Sequence, residues 1–251
     1  PTRAPDRPAL WVVDNSSIPS DLRSQRFVIS ERSLNALGGA GESGTFDFAF
    51  PRLSNHYFNA TFISNEQDII YNCELRKSGS PWTRSGGSNL SRAKWKTPGD
   101  RRFRGYSKRA IDNDAGGGRA YHNRIIRYWL YLFGHPANEN EFVRVIVNGG
   151  NADLREDVEP NANDFLKRNW EDGQLGELYR IDDEWWFEDD WSRDNRNADW
   201  SYKDTDEPER YHAEWIKRSR ETEYDYSSFV NWVKAVGEND FTRDEIERMA
   251  D

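Results

Sequence analysis

Arg76 and Lys77 run directly into Ser78-Gly79-Ser80, two cations followed by residues small enough to let backbone amides approach an anion. The chemistry on offer is recognition of a phosphate or a similar group. An ordinary turn flanked by solvated cations has the same sequence, and both readings stand at this point. A second cationic cluster follows. Arg92, Lys94, Lys96, Arg101, Arg102, Arg104, Lys108 and Arg109 share the stretch 92–109 with a single acid, Asp100.

Other chemistries find less support. The acidic run Asp182, Asp183, Glu184, Glu188, Asp189, Asp190, Asp194 and Asp199 lacks the calcium-loop pattern. Asn195 and Asn197 precede Asp199, but Trp200 stands where that loop needs glycine. The run reads as a solvated acidic surface. Its interleaved rings (Trp185, Trp186, Phe187, Trp191, Trp200 and Tyr202) read as core, or else as a surface that stacks on sugars or packs a partner protein. His56, His122, His135 and His212 are scattered without metal-ligand spacing. No G-x-S-x-G nucleophile signature occurs. Gly116-Gly117-Gly118 does not match G-x-G-x-x-G and precedes a helix, as a linker does. Cys73 is the only cysteine, which excludes an internal disulfide; its apolar neighbours mark a buried strand thiol.

The elements that must position these residues divide the chain in two. Residues 1–24, with four prolines, form an irregular lead-in. Residues 25–160 are β-rich and basic. Strands are expected at 26–30, 45–50, 56–63, 68–76 and 141–147. A further strand is expected at 92–97, where cations alternate with Ala93, Trp95 and Thr97. A brief helix capped by Ser30 ends at Gly38-Gly39, and residues 111–118 read as a turn. The long helix of about 119–133 carries Tyr121, Ile125, Trp129, Leu132 and Phe133 on one face. The charged residues around Glu159, with Glu156 and Asp157 close by, read as a surface linker. Residues 161–251 are acidic and helix-rich: a short helix capped by Asn163, a hairpin of 178–181 with 185–187, then helices at 207–220, 227–237 and from Thr242. The expected class is α+β, with an antiparallel sheet and one long helix followed by a helical region.

Composition narrows the function classes. The chain has 251 residues, 35% hydrophobic and 14% aromatic, and a mean hydropathy of −1.00. Such polarity with so many rings implies a folded protein whose core is built on aromatics. Net charge is −9, which disfavours a general nucleic-acid-binding role. No apolar run reaches the length of a membrane span. Three N-x-S/T sequons (Asn15, Asn59 and Asn89) matter only in a eukaryotic secretory setting.

One segment carries more than local structure. Val147-Asn148-Gly149 ends a strand, Glu159 follows eleven residues after the Asn, and Phe165-Leu166-Lys167-Arg168 begins six residues later. Gly176-Glu177-Leu178-Tyr179 then opens a new strand. This order and spacing resembles the CotH-type spore-coat kinase family. Asn59-Ala60-Thr61-Phe62-Ile63, the run from Tyr71 through Arg76 to Trp82, and Arg102-Phe103-Arg104-Gly105 are similar to further family segments, so the likeness covers about residues 56–250. The resemblance implies a kinase-like small lobe and the helical start of a large lobe. It also implies ATP with Mg²⁺ as cofactors, and transfer of phosphate to Ser/Thr of exported or surface proteins. It places Lys94, or secondly Lys96, on the phosphates, with Arg76 nearby and Glu159 at the adenine edge. Asp153-Leu154-Arg155 departs from the family pattern beside that glutamate. The family's catalytic aspartate and metal-binding strand lie downstream of a helix like 242–250. The expectation is therefore a fragment inactive by itself, from a bacterial exported or surface protein, partnered by other proteins or by the rest of its own polypeptide. The alternative is a non-catalytic interaction module of a larger assembly, with the acidic, Trp-rich stretch 185–200 as its contact.

Overall fold

The computed structural model describes residues 21–38, 55–79, 90–112, 121–171, 176–181, 184–187, 193–196, 200–212 and 214–237. The chain divides into two compact units, Pro1–Pro160 and Asn161–Asp251.

The first unit is a closed barrel, not the open antiparallel sheet with one long helix that the sequence leads one to expect. Its strands are β1 (Arg23–Ile29), β2 (Phe58–Ser64), β3 (Asp68–Lys77), β4 (Ala93–Lys96), β5 (Lys108–Asp112), β6 (Asn140–Val147) and β7 (Asp153–Val158). They run round the barrel in the order β1-β2-β3-β4-β5-β7-β6. All neighbours are antiparallel except β1 and β6, whose parallel pairing of Phe27 with Val147 closes the ring. Two of these staves correct the sequence reading. Ile111 and Asp112 belong to β5 rather than a turn, and the supposed linker holds β7. Asp-Leu-Arg-Glu-Asp-Val shows no apolar alternation, so β7 was invisible to periodicity. Its inward residues Arg155 and Asp157 are charged: Asp157 pairs with Arg109 inside the barrel, and Arg155 with the exposed Asp153 of the same strand.

Alternation explains the other strands. In β4, Ala93 and Trp95 are buried while Lys94 and Lys96 are half-buried on the opposite face. In β3 the register slips by one residue between Ile70 and Cys73, with Asn72 at φ 57°. This bulge lets both Ile70 and Cys73 face inward despite their odd spacing. Four rings lie in the interior among aliphatic residues such as Ile70, Leu75, Ile111 and Val143. Phe62 stacks on Trp95 at 4.2 Å between centroids, and Phe27 and Phe103 pack edge-on or tilted against the pair. The Asn148-Gly149 turn clamps the closure. With φ 48° at Asn148 and 74° at Gly149, the Asn148 amide accepts from Ile29 N and donates to Ile29 O, both at 2.9 Å.

Helix α1 (Glu31–Gly38) follows β1, its first turn capped by the Ser30 hydroxyl, which accepts from Ser33 N. Helix α2 (His122–Leu132) lies on the outside of β6 and β7 and buries none of its residues. Its arginines hold it there: Arg127 donates to Glu156 at 2.7 Å and Arg124 to the carbonyl of Asn140. The residues Tyr121, Ile125, Trp129, Leu132 and Phe133 that share one face are exposed.

The second unit is not a run of helices. It contains α3 (Asn163–Asn169), β8 (Tyr179–Ile181), β9 (Glu184–Phe187), β10 (Arg193–Arg196), α4 (Glu209–His212), β11 (Trp215–Lys217) and α5 (Ser227–Gly237). Ala162, with no side-chain bond, caps α3 instead of Asn163. β8 pairs with β11 rather than with β9, which pairs with β10. The expected helix 207–220 stops at His212 because Trp215 and Lys217 turn inward with strand alternation. The core is Tyr211, Trp215, Tyr226, Phe229, Val230 and Val233. The expected strand 45–50 and the final helix from Thr242 lie outside the described residues, as do the side chains of 184–196.

Candidate functional site

β3 and β4 bring three of the four nominated residues onto one outer face of the barrel. Arg76 stands directly opposite Lys94 in the antiparallel register, and Glu74 opposite Lys96. Alternation forces this: Lys77, Ala93, Leu75 and Trp95 occupy the inward positions between them. Tyr57, just before β2, lays its ring beside the cations. Lys96 Nζ lies 3.8 Å and Arg76 Cζ 5.2 Å from its centroid. Lys96 also pairs with Glu74 at 2.8 Å. Arg76 Nη1 donates to the carbonyl of Lys77, while its buried Nε has no hydrogen-bond partner. Farther along, Arg92 pairs with Asp112 at 3.1 Å.

The turn itself offers less to an anion than its sequence implies. Lys77 is buried, and the amide of Ser78 donates to the carbonyl of Arg92, extending the β3–β4 ladder. Ser80 lies outside the described residues.

Glu159 is placed differently. The row Lys94–Ala110–Val158 crosses β4, β5 and β7, so Glu159 follows a residue two strand spacings, about 10 Å, from Lys94. Its carboxylate is buried and accepts from the amide of Glu139 at 3.0 Å. Its own amide donates to Glu139 O, and its carbonyl accepts from Asn138 Nδ2. These bonds tie the end of β7 to the start of β6.

Inside the barrel lies a polar cluster that sequence reasoning did not single out. Asp157 is fully buried; its carboxylate accepts from Arg109 Nε at 2.9 Å and from Gln25 Nε2 at 2.6 Å. Arg109 sits beside the Tyr106 ring, 4.7 Å from its centroid. Burial pushes the Asp157 carboxyl above its ordinary range, against the opposing pull of Arg109 and Gln25. Arg109 Nη1, Gln25 Oε1 and Trp95 Nε1 are buried without hydrogen-bond partners. Arg109 lay within the basic run and Asp157 within the acidic linker. The only signal in the sequence was a charge where strand alternation wants an apolar residue.

Among the described residues, no group of three or more His, Cys, Asp or Glu side chains is placed to hold a metal ion. None of the helices among them is long and apolar enough to cross a membrane. No family model matches the chain, and no curated protein shows significant similarity to it.

Proposed function

We propose that the first unit binds a phosphate-bearing ligand, of the nucleotide class used by the family it resembles, on the outer face of β3 and β4. The observation that carries this reading is the register pair Arg76–Lys94 with Lys96 and the Tyr57 ring on the same face. A guanidinium and an ammonium one strand apart suit neighbouring phosphate oxygens, the first as a fork and the second as a point charge. The ring adds a flat apolar surface for a base. The residues fit phosphates; among the described residues no carboxylate cluster stands ready for magnesium, and binding alone is proposed here.

Calorimetry and thermal melts of the chain with ATP, ADP and inorganic triphosphate test this. Ligand at about a hundred times its Kd should stabilise the protein by about 2.7 kcal/mol. Arg76→Ala with Lys94→Ala should weaken binding at least tenfold without lowering the melting temperature of the free protein. Triphosphate binding as tightly as ATP would remove the base from the reading. Absence of any response to millimolar ATP or triphosphate would overturn it.

A further inference from the structure

Asn148-Gly149 is the only Asn-Gly pair in the chain, and it stands where the barrel is latched. Asn148 makes three hydrogen bonds to β1. Its backbone amide donates to Phe27 O at 3.0 Å, its Nδ2 donates to Ile29 O, and its Oδ1 accepts from Ile29 N. Gly150 N also donates to Val147 O at 2.9 Å, which fixes the turn from its own side. Asn148, Gly149 and Gly150 are nevertheless exposed. Among the described residues, a Cβ on Gly149 would meet nothing within 4 Å, so solvent has open access there.

An asparagine followed by glycine carries its own reaction. The Gly149 amide nitrogen, once its proton passes to a base in solvent, attacks Asn148 Cγ. The bond from Cγ to Nδ2 breaks, ammonia leaves with a proton taken from water, and a succinimide ring remains. Water then opens the ring at one of its two carbonyls. The product is aspartate or, where the main chain now runs through Cγ, isoaspartate. One water is consumed and one ammonia released, with no oxidant or cofactor. Glycine favours the attack because it has no Cβ in the way and lets the backbone bend.

The fold opposes the first step. Ring closure rotates the Asn148 side chain, which breaks both of its bonds to Ile29. It also bends the peptide that follows, which the bond from Gly150 N to Val147 O holds in place. We propose that Asn148-Gly149 is a deamidation site gated by closure of the barrel. The amide survives while β1 and β6 are paired and is lost when they part. The modified barrel then recloses less well. A carboxylate at position 148 has no hydrogen to give Ile29 O and sets negative charge against that carbonyl. Isoaspartate adds an atom to the main chain of the turn that sets the β6–β7 register. The inference is independent of the phosphate site, which lies on other strands.

Peptide mapping by mass spectrometry tests it, after the chain is incubated in mildly alkaline buffer with and without urea. The unfolded chain should deamidate at Asn148 at the rate of a short peptide of the same sequence. The folded chain should be slower by about thirtyfold or more, the factor that two hydrogen bonds of ordinary net strength imply. Asn148→Asp keeps an acceptor for Ile29 N, so it should fold, with a lower urea midpoint than the wild type. Equal rates in the folded and unfolded chains would overturn the gating. An unfolded chain that keeps its amide would overturn the site itself. An Asn148→Asp protein as stable as the wild type would overturn the effect on closure.

Discussion

Asp157 in the barrel and Glu177 in the second unit are both carboxylates bonded to a cation, yet their protonation responds in opposite directions. Asp157 accepts from Arg109 and Gln25 at a fully buried position, and desolvation there outweighs both partners and raises its pKa. Glu177 is only partly buried. Desolvation raises its pKa as well, but it is overcome by hydrogen bonds from Lys217 at 2.5 Å, Ser228 and Tyr179, so the net direction is downward. The same type of pair thus costs free energy at one place and contributes it at the other. What decides is the amount of water removed and the number of donors that replace it.

The comparison is broken most severely at Asp157. Asp157→Ala leaves the Arg109 charge buried beside an already unpartnered Nη1 and should cost about 3–5 kcal/mol, read from urea denaturation. Replacing both partners, with Arg109→Met and Asp157→Leu, should recover most of that loss. A double variant as unstable as the single would show that the ion pair itself, rather than its broken half, stabilises the barrel.

Glu177→Gln preserves shape and removes charge, and should cost about 1 kcal/mol, because the pair is partly solvated. Its pH dependence sharpens the contrast. A depressed folded-state pKa means that the Glu177 contribution is present above the unfolded value of 4.5 and is lost as pH falls through the folded one. Asp157 has the opposite sign. The folded state holds its proton more tightly, so stability from this group declines as pH rises from the unfolded value of 3.8 through the raised one. Acid titration of stability should therefore be shallower in Glu177→Gln than in the wild type, and an unchanged slope would contradict the assignment.

The smallest effect concerns Cys73. Burial raises its thiol to about 12, so it should resist a disulfide reagent at neutral pH until the barrel unfolds. Labelling of the native protein at the rate of a free thiol would place it at the surface instead.

Several elements were legible before folding because their signals are local. Ser30 as a cap and Gly38-Gly39 as a stop marked α1, the residue pattern of 227–237 marked α5, and alternation around Trp95 marked β4 and put Lys94 and Lys96 on one face. β5 and β7 were not legible, since both carry charges at inward positions that only the interior pairing makes tolerable. The pairing of β8 with β11 failed for another reason. A close neighbour in sequence looks like the natural hairpin partner, but nothing local rules out a strand some thirty-five residues on.

The sequence by itself determined which side chains share a strand face and therefore that Arg76 and Lys94 can meet a ligand together, provided their strands pair. The expectation of a core carried by rings holds only in part, since Phe27, Phe62, Trp95 and Phe103 share the barrel interior with a larger set of aliphatic residues such as Ile70, Leu75, Ile111 and Val143. Closure of the barrel was decided only in three dimensions. The Ile29–Asn148 contact joins residues 119 apart, and a parallel pairing at that separation leaves no mark in a two-residue period. The outward turn of α2 was decided there too. Helical periodicity fixes that an apolar face exists, but the barrel presents Glu156 and the carbonyl of Asn140 to the helix, and these engage Arg127 and Arg124.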